Sequence, residues 1–117
     1  MPISAVRALG IALLLAAPSA ASANSRIYEG TEAQALKCAA YFSSTTYMLE
    51  SRGLMTPRNR EEGAVAATNI IGQHVGGTYQ QKLKAFQAVL NRLPASETAL
   101  VSDTLKHLNW CSENFLR

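Results

Sequence analysis

The chain lacks the motifs that nucleotide, metal and haem chemistry need. It has no GxGxxG or GxxxxGK[ST] loop to cradle phosphates, and 117 residues are too few for a Rossmann, TIM-barrel or kinase fold. Histidine and cysteine each occur only twice, with no HExxH, CxxC or CxxCH spacing. That set is a poor basis for a zinc or haem site, so no metal and no cofactor is expected. Nucleophile signatures are missing too: Ser43-Ser44-Thr45-Thr46-Tyr47 is a hydroxyl run without a GxSxG elbow or an SxxK motif, and no catalytic residue is assigned. Acidic residues are fewer than basic ones, but the formal charge of +3 is too small for a dedicated nucleic-acid binder.

The N-terminus is the most biased segment. Residues 1–23 contain no acid and one charge, Arg7, followed by the apolar stretch Ala8 to Ala17, Pro18, and the small-residue triplet Ala21-Ser22-Ala23. This is the layout of a secretory signal peptide, with cleavage expected before Asn24. The apolar stretch falls well short of the roughly 20 residues that span a bilayer, and no comparable run follows it. Residues 24–117 are therefore expected to form a single helical domain, periplasmic or secreted, without a transmembrane segment.

Helix punctuation recurs along that domain. Thr31-Glu32-Ala33-Gln34 has the form of a capping box and predicts a first helix running to Gly53. Its apolar and small face is Ala35, Cys38, Ala39, Phe42, Thr45, Thr46 and Leu49. Thr56-Pro57 starts a second helix, with Asn59 as an alternative cap, and Gly76-Gly77 stops it after about Val75. Thr78-Tyr79-Gln80-Gln81 is another capping box, opening a third helix with the stripe Tyr79, Leu83, Phe86, Val89, Leu90 and Leu93, closed by Pro94. Ser96 caps the last helix, whose expected core face is Val101, Thr104, Leu105, Leu108, Cys111, Ser112 and Phe115. No segment alternates with a period of two, so the expected fold is all-α, a small antiparallel four-helix bundle.

Two cysteines in an exported chain are expected to pair. Cys38 lies as far past the expected start of the first helix at Glu32 as Cys111 lies before Arg117. In an up-down-up-down bundle the first and last helices are antiparallel neighbours, so a Cys38–Cys111 disulfide would join them at one level. Closing nearly the whole mature chain in one ring is worth on the order of 4 kcal/mol in the loop-entropy model.

Two groups of residues are candidates for partner binding. On the last helix Asp103, His107, Trp110 and Asn114 share a stripe in which Asp103 and His107 are one turn apart and able to pair, beside the single tryptophan. The second group is basic: no acid occurs from Gly63 to Ser96, while Lys82, Lys84 and Arg92 do, and Arg52, Arg58 and Arg60 cluster at the preceding turn. Such a face suits an anionic envelope surface or an acidic envelope protein. His74 reads as a partly buried residue at a helix C-terminus. The sequence thus reads as a small exported helical protein of the bacterial cell envelope, a non-catalytic binding, chaperone-like or adaptor protein. The alternative is a small helical enzyme or immunity-type enzyme inhibitor with its site at Asp103, His107 and Trp110.

Overall fold

A computed structural model describes residues 25–117; the expected leader and its cleavage site lie outside the described residues. Four helices and no strand occur among these residues: α1 (Gly30–Ser51), α2 (Pro57–His74), α3 (Tyr79–Arg92) and α4 (Glu97–Phe115). Three of the four expected starts are made by the expected side chains. Thr56 accepts a hydrogen bond from the Asn59 N–H, Ser96 from that of Ala99, and Thr78 and Gln81 form the reciprocal capping box. Asn59 is therefore not the cap of α2.

The first start differs. The helix begins at Gly30, the N-cap position is Glu29, and no side chain caps it. Gly30 has φ +58°, a left-handed conformation that turns the extended segment before it directly into the helix, so Thr31 lies within the first turn instead of ahead of it. Glu32 points elsewhere: its carboxylate accepts the Gly76 N–H at 2.7 Å and pairs with Arg26 at 3.1 Å.

The four helices form an all-α bundle organised around α1, which packs against each of the other three and most extensively against α2. A helix with three neighbours is buried on more than one side. Leu36, Ala40 and Tyr41 are accordingly buried along with Ala35, Cys38, Ala39 and Thr45, although the sequence pattern left those three outside the expected face. Small residues let α2 approach closely: a Cβ built on Gly63 would lie 2.6 Å from Thr46 Cγ2 and 2.9 Å from the Phe42 carbonyl oxygen. Ala67 and Ile70 continue that contact, and Ala85, Phe86 and Val89 bring α3 onto the same core. Tyr79, expected on the α3 core stripe, is instead 73% exposed.

The Cys38–Cys111 disulfide joins α1 to α4 with a Cα–Cα distance of 5.6 Å, and both cysteines are buried. It also fixes how α4 is rotated. The inward positions are Leu100, Thr104, His107, Cys111 and Phe115, while Leu105 and Leu108, expected in the core, are 65% and 36% exposed. Helical spacing allows either face; the covalent tie at Cys111 and the Thr45–Thr104 hydroxyl contact select this one. At the other end of α4 the Phe115 ring stands edge-on to His74 at 5.0 Å and to Trp110 at 5.5 Å. His74 Nε2 lies 3.2 Å from the Phe115 carbonyl; since a carbonyl can only accept, Nε2 carries the proton. No helix among the described residues is long and apolar enough to cross a membrane.

Candidate functional site

The segment from Ser25 to Glu29 leads into α1 without regular secondary structure and is latched onto the fold. The Tyr28 hydroxyl donates to the Gly76 carbonyl at 2.7 Å, and the Arg26 guanidinium lies over the Tyr28 ring while donating to both Glu32 oxygens. The Gly76 N–H hydrogen bond holds the Glu32 carboxyl below its ordinary range, desolvation opposes this, and the Arg26 charge adds to the lowering. Gly77, at φ +97°, has no room for a side chain: a Cβ there would sit 2.6 Å from the Tyr28 hydroxyl. The latch thus joins the N-terminal segment, α1 and the α2–α3 turn.

This arrangement creates a groove of about 750 Å³ between the N-terminal segment, α1 and α3. Leu36, Val89 and Leu93 contribute apolar lining, and Lys37, Lys84 and Arg92 also line it. None of these three cations has an ion-pair partner among the described residues. Glu29 is the one acid in the lining. The structure therefore gathers Lys84 and Arg92 from the expected basic group and adds Lys37 from α1. Lys82 does not line the groove. The other expected basic cluster is neutralised in place: Arg52 pairs with Glu97 at 2.6 Å, Arg60 with Glu50 at 2.9 Å, and Arg58 with Glu62 at 3.8 Å.

A second, smaller cavity of about 290 Å³ lies between α1 and α4 over the disulfide. His107 and Trp110 line it with Gln34, Lys37, Tyr41 and the two cysteines. Tyr41 stacks on His107 with ring centroids 5.3 Å apart, and the Lys37 ammonium sits 5.9 Å from the Tyr41 ring centre. Burial, and secondarily the nearby Asp103 charge, push the Tyr41 hydroxyl above its ordinary pKa. Asp103 is not in this lining. The expected one-turn pairing of Asp103 and His107 takes another form: His107 Nδ1 lies 2.7 Å from the Asp103 main-chain carbonyl, which makes Nδ1 the protonated nitrogen. Asn114 likewise turns back onto its own helix, donating to the Trp110 carbonyl at 2.8 Å.

Sequence reading missed Gln34, Lys37 and Tyr41. All three sit on α1, and nothing in local spacing marks a central helix whose exposed edge borders two cavities at once. No group of three or more potential metal ligands occurs among the described residues. Comparison with family models, with characterised proteins and with solved structures finds no match to this chain.

Proposed function

We propose that this is an exported, non-catalytic binding protein of the cell envelope, and that its groove takes an anionic amphiphile with a single acyl chain. One observation carries the reading: the groove pairs an apolar lining of Leu36, Val89 and Leu93 with three cations, Lys37, Lys84 and Arg92, that have no ion-pair partner among the described residues. Unpaired cations beside an apolar trough match a negatively charged head and a hydrocarbon tail. The groove volume lies within the 300–1,000 Å³ or so typical of small-ligand sites. The buried disulfide suits an oxidising compartment, in keeping with the leader at residues 1–23 and a periplasmic or secreted location.

Calorimetric titration with lysophosphatidylglycerol, below its micelle concentration, tests this. Saturable binding is expected, with weaker binding of lysophosphatidylcholine, which has the same tail and a zwitterionic head. The double variant Lys84→Glu/Arg92→Glu should lose at least about tenfold in affinity, and added salt should weaken binding of the unmodified protein. Equal binding of the two lipids would overturn the assignment of an anionic ligand. For the export part, N-terminal sequencing of protein recovered from outside the cytoplasm should read from Asn24.

A further inference from the structure

We propose that the cavity over the disulfide is a second and independent binding site, for a small planar carboxylate such as an aromatic acid. Four features converge on this chemistry. The Tyr41 hydroxyl is buried without a hydrogen-bond partner, although Tyr41 belongs to the cavity lining. Lys37 borders the same cavity and makes no ion pair among the described residues. Gln34, on the turn of α1 before Lys37, can contribute an amide donor, and the nearest acid, Asp103, acts on Tyr41 through its charge but does not line the cavity. A lining of one cation and neutral donors, with no acid among them, suits an anion.

The walls specify the rest of the ligand. Tyr41 and His107 are already stacked, and the Trp110 ring, held edge-on against Phe115, also lines the cavity in a residue that is 41% exposed. These rings offer aromatic surface to a flat ligand. A volume of about 290 Å³ has room for a ring bearing a carboxylate. With His107 Nδ1 protonated and committed to the Asp103 carbonyl, its Nε2 offers only a lone pair, so the donors left for a carboxylate are Lys37, Gln34 and the Tyr41 hydroxyl. Lys37 also borders the larger groove, but the ligands differ in kind, and this site stands whether or not the groove binds a lipid.

Trp110 is the only tryptophan in the chain, so its fluorescence reports the cavity directly. Benzoate is expected to change the emission saturably, with a Kd of about 1 mM or tighter. Lys37→Gln should weaken binding at least about tenfold, and benzyl alcohol should bind much more weakly than benzoate. Tyr41→Phe removes a hydroxyl that has no partner, so it should leave the thermal midpoint unchanged or raised while lowering benzoate affinity. Lys84→Gln/Arg92→Gln, which acts only on the groove, should leave benzoate affinity unchanged. The proposal is overturned if benzoate produces no saturable change, if benzyl alcohol binds as tightly, or if folded Lys37→Gln binds benzoate as the unmodified protein does.

Discussion

The Thr45 and Thr104 hydroxyl oxygens lie 2.6 Å apart across the α1–α4 contact, level with the interior side of both helices. Thr104 donates its own proton to the Leu100 carbonyl at 2.8 Å, so Thr45 must be the donor between them. Replacing Thr104 by Val removes the acceptor and leaves a buried hydroxyl on Thr45 unsatisfied. A loss of about 1–3 kcal/mol is expected by denaturant unfolding. The double variant Thr45→Val/Thr104→Val should recover part of it, because neither hydroxyl is then stranded. A double-mutant cycle measures this coupling.

The rotation of α4 reverses the ranking that helical spacing gives two leucines, placing Leu100 inside and Leu105, on the expected core face, outside. Leu100 is buried, and Leu100→Ala should cost about 2–5 kcal/mol. Leu105 is 65% exposed, and Leu105→Ser should change stability by no more than about 0.5 kcal/mol. A larger loss at Leu105 than at Leu100 in urea titrations would place α4 in the rotation expected from sequence instead.

Gly63 marks the close approach of α2 to α1. A methyl group there meets both Thr46 and the Phe42 main chain, and a backbone atom cannot rotate away. Gly63→Ala gains helix propensity but should still destabilise by about 1–3 kcal/mol, lowering the thermal midpoint by several degrees. Gly72 has nothing within 4 Å of the same built atom, so Gly72→Ala should stabilise by up to about 1 kcal/mol.

The disulfide encloses a sequence separation of 73 residues, for which the loop-entropy model gives about 4 kcal/mol. Cys38→Ala/Cys111→Ala should lower the urea midpoint accordingly. It should also abolish the effect of reductant on the melting temperature.

Glu32 gives the fold an acid-sensitive contact. Its folded pKa is lowered from 4.5, chiefly by the Gly76 N–H, so the carboxylate stabilises the folded state above the unfolded value. That contribution is lost as pH falls through the lowered folded value. Melting temperature measured from pH 7 downward should therefore drop below about pH 4.5, and Glu32→Gln should flatten that part of the curve. The variant should also loosen the Ser25–Glu29 segment, seen as faster amide exchange at Gly76.

What was legible in the sequence is what short-range chemistry settles. Thr56, Thr78 and Ser96 cap helices because a hydroxyl reaches an N–H within the same turn, and Gly76-Gly77 and Pro94 interrupt helices through their own backbone restrictions. The Cys38–Cys111 pairing was legible because two cysteines on inward faces of the first and last helices have one intramolecular partner each. The capping box at Thr31 failed because the left-handed turn at Gly30 starts the helix before Thr31, which puts that threonine inside the first turn.

Only tertiary structure decided which helix is central, how α4 is rotated and which cations stay unpaired. Those outcomes depend on contacts between residues distant in sequence: Glu97 reaching Arg52, Cys111 tied to Cys38, and Gly63 admitting α2 against Thr46. Lys37 illustrates the difference. Its spacing within α1 is unremarkable, and it becomes the residue shared by both cavities only when α3 and α4 pack on either side of its helix.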